Sequence, residues 1–156
     1  MDVFSQRVPD ICLTRFDHGT RITIPEGVAA VFDTSAVEAF LDADGDQWLW
    51  QLEESKELVA FAVTDAALCN EARIFIWEIG VSATARGFGF GTTLFREIAR
   101  HAHEIERPVV GCIMKTDDDD VARRRRWFLK VGLRQEDPER DYWFGDSALM
   151  ADLGEA

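Results

Sequence analysis

Three glycines spaced two apart, Gly87, Gly89 and Gly91, stand between Arg86 and Thr92, and the apolar run of residues 74–81 leads into them. A strand feeding a glycine-rich bend that opens a helix is a cradle for an anion. The bare N–H groups of the first helical turn point at the ligand, and the helix dipole adds positive potential there. Glycine lets the backbone approach phosphate oxygens with no Cβ in the way. The segment is not a Walker loop, because no Gly-Lys-Ser/Thr follows, and the spacing is too tight for the dinucleotide pattern G-x-G-x-x-G. One carboxylate, Glu78, interrupts the apolar strand. A carboxylate there is costly to bury without a task, and the task it suits is general base. The plain alternative is a Glu exposed at a sheet edge or held in an ion pair. By period 2, Ile76, Glu78 and Gly80 should share one face of the strand.

The surrounding elements follow from periodicity and punctuation. Residues 11–14 and 21–24 read as short strands flanking Asp17-His18-Gly19. Residues 35–41 read as a helix, with Ser35 and Glu38 at capping-box spacing and Val37 and Phe40 on its buried face with Ala36. Trp48, Trp50 and Leu52 alternate with polar or outward positions, and residues 58–63 make a second strand, so a hairpin is expected. Asn70-Glu71 marks a turn before the strand of residues 73–81. Residues 92–105 keep helical period, with Leu94, Phe95, Ile98, Ala102 and Ile105 on one face and His101 and His103 on the solvent side. Residues 108–114 are a further strand, and Asp117–Asp120 opens a helix that ends near Gly132. Residues 141–144 and 148–153 read as a closing pair of strands. The sum is an α+β domain with a mostly antiparallel sheet and one strand–helix–strand crossover through the glycine bend.

Composition narrows the partners. A chain of 156 residues fits one domain, and 47% hydrophobic with 29% charged residues is globular. The net charge of −12 repels phosphate backbones and favours cationic partners, so nucleic acid and anionic membranes are not expected. Cys12, Cys69 and Cys112 lie far apart without metal-ligand spacing, so free thiols in a reducing cytoplasm are expected and no metal. The amino terminus does not read as a signal peptide, and no apolar run approaches the roughly 18 residues of a membrane span. Asp119 with Arg123 and Asp120 with Arg124 are spaced for helical ion pairs. The four acids 117–120 read as a helix start rather than a metal site. Trp48 and Trp50 read as packed aromatics, with an acceptor wall as the alternative, and His18 lies in a loop.

The stretch Val81-Ser82-Ala83-Thr84-Ala85-Arg86-Gly87-Phe88-Gly89-Phe90-Gly91-Thr92 resembles the acetyl-CoA site of GNAT-superfamily N-acetyltransferases. Their signature is a strand ending in Val, a short bend, then R/Q-x-x-G-x-G/A at a helix start. Phe128-Leu129-Lys130-Val131-Gly132-Leu133 falls where the family carries Tyr-x-Lys-x-Gly-Phe, and residues 148–153 resemble its last strand. The likeness covers about residues 48–153, and residues 1–45 match poorly. It implies a GNAT-like mixed sheet flanked by helices, with a split between two central parallel strands.

That resemblance implies the site as well. Main chain from Arg86 through Gly87, Phe88, Gly89, Phe90 and Gly91 to Thr92 would bind the pyrophosphate of acetyl-CoA. Ile79, Gly80 and Val81 would pair with its pantetheine arm as an added strand. Glu78 would take the proton of the attacking amine. Phe128 stands where the family's Tyr protonates the departing thiolate, and Phe has no proton to give. Val121 stands at the usual Asn. Cys112, Tyr142 or water is left as acid, and a core role is the plain reading of Cys112. Residues 75–81 with Ala85-Arg86-Gly87 look most like diaminobutyrate acetyltransferase, and acids at this place recur in polyamine and aminoglycoside acetyltransferases. The threonine-rich strand and Pro-Asp-Asn stretch of the former are missing, so its substrate is not carried over.

The expectation is a single cytoplasmic N-acetyltransferase domain over residues 1–156. Residues 1–45 would form the acceptor side and residues 74–105 the acetyl-CoA-binding unit. The acceptor would be a small cationic amine, and a homodimer is the resemblance's suggestion. A protein acetyltransferase and a non-catalytic CoA-binding module are the rival readings.

Overall fold

The computed structural model describes residues 3–8, 11–22, 35–66, 72–114, 119–135 and 137–152, of which residues 3–8, 35 and 36 by backbone alone. Strands β1 (Val3–Val8), β2 (Ile11–Asp17), β3 (Gln47–Glu54), β4 (Glu57–Asp65) and β5 (Arg73–Val81) follow one another as antiparallel neighbours. The β3–β4 hairpin turns through Ser55 and Lys56, whose φ values of 51° and 71° match the right-handed twist of the flanking strands. The expected hairpin is thus present. Helix α1 (Ser35–Asp42) precedes it, and a short 3₁₀ turn (Ala83–Ala85) follows β5.

Helix α2 (Phe90–Glu104) crosses over to β6 (Val109–Ile113), which lies parallel to β5. Helix α3 (Val121–Lys130), β7 (Arg134–Gln135), β8 (Tyr142–Asp146) and α4 (Ser147–Ala151) complete the chain. The eight strands form one sheet in the order β1-β2-β3-β4-β5-β6-β8-β7. This is the expected α+β architecture, mostly antiparallel around one parallel pair.

Two cores lie on the two faces of the sheet. On one, Leu94, Phe95 and Ile98 of α2, Phe128 of α3 and Met150 of α4 pack on Ile74, Ile76, Ala60 and Ala62. Each fully buried Leu or Ile there contributes about 1.5–3 kcal/mol. On the other, Val37 and Phe40 of α1 pack on Leu49, Phe61 and Val63. Val37 and Phe40 thus form the buried face expected of α1, while the side chain of Ala36 lies outside the described residues.

Several expectations are corrected. Residues 148–151 are helical, not strand, because the Asp146 carboxylate accepts hydrogen bonds from the N–H groups of Ala148 and Leu149 at 2.9 and 3.1 Å and caps a helix. The strand beside β8 is instead β7. Arg21 and Ile22 are not in a strand, and β2 pairs with β1 and β3. His101 is buried at 4% exposure, not on the solvent side. Its ring lies edge-on to Trp48 at 4.5 Å and Trp50 at 5.4 Å. Trp50 is a packed aromatic whose indole N–H donates to Thr64 at 3.0 Å. Helix α3 starts at Val121 rather than within 117–120, with Asp120 at its N-cap, and Arg123 pairs with that Asp120 at 3.1 Å. The turn expected at residues 70–71 lies outside the described residues, as does Cys69.

Candidate functional site: a split strand pair and a glycine bend

The pairing of β5 with β6 ends early. It runs from Arg73 beside Val109 to Ile76 beside Cys112, and residues 78–81 of β5 are paired with β4 alone. The cause is a bulge. Opposite β5, Val63 faces Glu78 and the next residue, Thr64, faces Ile76, so Trp77 is the extra residue. A bulge bends its strand and increases the local twist, which turns the end of β5 away from β6. The expected split between the parallel strands is therefore present, and its origin is one inserted residue.

The bulge also changes which way Glu78 faces. Ile76 belongs to the core under α2, whereas Glu78 lies beside Val63, a member of the core under α1. Residues directly paired across antiparallel strands share a face. Ile76 and Glu78 are thus on opposite faces, and the expected common face of Ile76, Glu78 and Gly80 holds only for the last two. Glu78 is half-buried at the point where the strands part. The buried Cys112 thiol, at the matching point of β6, is pushed up to about 12 by burial and then by the Glu78 carboxylate. Cys112 is accordingly a neutral core thiol at physiological pH.

At the far end, β5 runs through Ser82 and the 3₁₀ turn into the glycine bend. Gly87 and Gly89 have φ values of +87° and +82°, a conformation side chains rarely adopt, and a Cβ at either would meet open space. Gly91 serves differently: a Cβ there would lie 3.1 Å from Val81 and 3.3 Å from Trp127, so it lets α2 approach β5. The Trp127 indole N–H donates to the Thr92 hydroxyl at 3.2 Å, tying α3 to the same turn. Gly89 caps α2 without any side-chain bond, and Thr93 is the first residue to donate back, to Gly89 at 3.0 Å. Among the described residues, no backbone carbonyl takes a hydrogen bond from the N–H groups of residues 89–92, the start of α2. Arg86, Gly87, Phe88 and Gly89 are exposed, Phe88 at 73%. Four free donors at a helix start, beside an open strand edge, have the geometry of an anion cradle followed by an open backbone edge.

The remaining expected residues fall into place around this frame. Ile79, Gly80 and Val81 are half-buried along the open edge of β5. Phe128 is 3% exposed, its ring 5.5 Å from Trp143 and 5.7 Å from Trp127. It fills the core and offers no proton. Among the described residues no cluster of His, Cys, Asp or Glu could hold a metal.

A cleft of about 390 Å³ lies at the other end of β5, lined by Arg73, Asp137, Arg140 and Tyr142. Arg73 donates from Nη1 to the Tyr142 hydroxyl at 2.7 Å, with its guanidinium 5.3 Å from the ring centre. The Tyr142 hydroxyl occupies the space that a Cβ at Gly111 would need. Sequence reading left Tyr142 unplaced and missed Arg73 and Arg140. No local signal marks them, because Arg73 and Tyr142 meet across 69 residues of chain.

The family model described as acetyltransferase (GNAT) family matches residues 18–133. The match begins well before Trp48, so part of the segment that seemed unlike the family belongs to it. No curated protein matches the chain in sequence. The chain is similar in structure to a GNAT family acetyltransferase from Elizabethkingia anophelis with acetyl-CoA bound. That likeness has a TM-score of 0.62 and 14% identity, and covers 86% of this chain and 95% of that one. It is similar to an IAA acetyltransferase from Bacillus cereus, with a TM-score of 0.64 and 11% identity over 87% and 99% of the two chains. It is also similar to the ribosomal-protein-S18-alanine N-acetyltransferase from Escherichia coli, with a TM-score of 0.55 and 13% identity over 83% and 80%. At such identities these likenesses show the fold alone.

Proposed function

The chain belongs to the GNAT family of acetyl-CoA-dependent acetyltransferases, and we propose that its acceptor is the primary amine of a small cationic metabolite. The observation that carries the reading is the free N–H array of residues 89–92, behind the exposed glycine bend and beside the open edge of β5. In this reading Arg86, Gly87, Phe88, Gly89, Phe90, Gly91 and Thr92 hold the pyrophosphate of acetyl-CoA. Main chain of Ile79, Gly80 and Val81 lines its pantetheine arm, and an N–H at Ile79 or Val81 polarises the thioester carbonyl. Glu78 takes the amine proton, directly or through water, as the C–N bond forms and the C–S bond breaks. Phe128 gives no proton. A thiol of ordinary pKa, about 8.5, can leave as thiolate and be protonated by water. The net charge of −12 draws ammonium groups towards the protein. The reading includes a single domain in the cytoplasm, working with no metal, as a homodimer. No described helix is long and apolar enough to cross a membrane.

Calorimetric titration with acetyl-CoA and CoA tests the cradle, with Gly89→Glu as control. Thiol release across a panel of small amines then tests the chemistry. Micromolar binding lost in the control, with release on at least one amine that Glu78→Gln abolishes, is the expected result. Binding without release on any amine or peptide would favour a second reading, a CoA-binding module without catalysis, which Phe128 in the family's Tyr position motivates. Release on peptides alone would place the acceptor among proteins.

A further inference from the structure

The cleft at the start of β5 has a basic lining among the described residues. Among the described residues, its lining carries two arginines and one carboxylate in a chain of net charge −12. Asp137 is turned to Arg140, 3.7 Å away and 81% exposed. Arg73 is half-buried, and no carboxylate among the described residues lies within ion-pair distance of it. Its partner is a neutral hydroxyl. A half-buried guanidinium with free N–H donors calls for an anion, and a planar fork suits a carboxylate best.

The cleft and Glu78 share a face of the sheet. Ile74 and Trp143 pack in the core under α2, so the neighbouring Arg73 and Tyr142 point to the other side, where the bulge has placed Glu78. The Arg73 guanidinium reaches forward along the strand. It meets the Tyr142 hydroxyl over Gly111, the register partner of Phe75. Glu78 lies three residues beyond Phe75, within about 10 Å at ~3.3 Å per residue. A molecule of several bonds' length spans that gap.

We propose that Arg73, Tyr142 and Arg140 hold a carboxylate at the far end of the acceptor, so that the amine acetylated by this chain also bears a carboxylate. The proposal rests on Glu78 marking the reacting amine. It agrees with the acidic composition, since an ammonium answers the overall field and a carboxylate answers the arginines of the cleft. Arg73 provides the fork, Tyr142 holds its plane and adds a hydroxyl, and Arg140 closes the outer side.

Tyr142 is the only tyrosine, so the full chain labelled with 3-fluorotyrosine gives one fluorine resonance from inside the cleft. Titration with 6-aminohexanoate and L-lysine, with and without CoA, should move that resonance to saturation. The matching carboxamides should need at least about tenfold higher concentration, the scale of a lost charge-assisted pair. Arg73→Gln should remove the shift while acetyl-CoA still binds by calorimetry, which shows the variant folded. In thiol release, Tyr142→Phe should raise KM about tenfold for carboxylate-bearing amines and raise it less for the matching carboxamides. A resonance that responds equally to acids and carboxamides, or to neither, overturns the proposal. O-phosphoethanolamine binding more tightly than either acid overturns the carboxylate in favour of phosphate. Loss of acetyl-CoA binding by the parent chain would sink the acetyltransfer reading separately, because the fluorine titration needs no turnover.

Discussion

At its carboxyl end β5 parts from β6 and offers main-chain donors that no side chain blocks, with glycines at φ +87° and +82° just beyond. At its amino end the same strand is closed against β6, and what it offers is a side chain, Arg73, braced on a tyrosine from β8. Under the proposed function, one end recognises through backbone geometry and the other through charge. The bulge at Trp77 divides them. On that reading one strand serves two parts of a substrate pair: backbone recognition suits the invariant cosubstrate, and a side-chain cleft can be retuned for an acceptor by few changes.

The contrast can be broken from either side. The largest effect is expected at the junction. Glu78→Gln should lower kcat about 10²–10⁴-fold, the usual worth of a positioned base, while calorimetry finds acetyl-CoA affinity unchanged. Equal activity in that variant would remove Glu78 from the chemistry. Gly89→Glu should weaken acetyl-CoA at least about 100-fold, combining strain at positive φ with a carboxylate facing the pyrophosphate. The fluorine shift of Tyr142 on adding 6-aminohexanoate should survive that change. A joint loss would mean that the two ends are not independent.

Gly111→Ala sharpens the comparison from the other end. The new Cβ takes the place of the Tyr142 hydroxyl, so the ring must move and the bond to Arg73 must break. Denaturant unfolding should report about 1–3 kcal/mol of destabilisation, typical of overpacking, with acetyl-CoA binding retained. The mildest test lies away from both ends. Burial, then the Arg15 charge, lowers His101 from 6.5 to about 3. The unfolded chain therefore binds a proton that the folded chain refuses between those two values. Stability should fall by about 1.4 kcal/mol for each unit of pH lost below 6.5. His101→Phe should flatten that slope, whatever its absolute stability.

These two ends also mark what the sequence makes legible. The carboxyl end is contiguous: apolar strand, glycines at fixed spacing and amphipathic helix lie within residues 74–105, and local rules govern each. The split follows the family likeness, but the bulge that makes it leaves no mark in the alternation of residues 74–81. For that reason period 2 alone puts Ile76 on the face of Glu78 and Gly80, and the bulge moves it to the other. The amino end needs Arg73 and Tyr142 brought together by sheet order, which no spacing encodes. Residues 148–151 mislead for a related reason. Their apolar content suits a strand, and the cap at Asp146 decides for helix. His101 sits on a helix face that period alone assigns to solvent, and β3 reaches it with Trp48 and Trp50.

The parted strand has a consequence for the lifetime of the protein. Residues 77–81 are a sheet edge in the middle of the molecule, with backbone groups that a foreign strand could satisfy. Whatever fills the split during turnover also shields that edge from self-association. Cosubstrate supply should then govern how long the chain survives at high concentration and temperature, and light scattering with and without CoA would measure that protection directly.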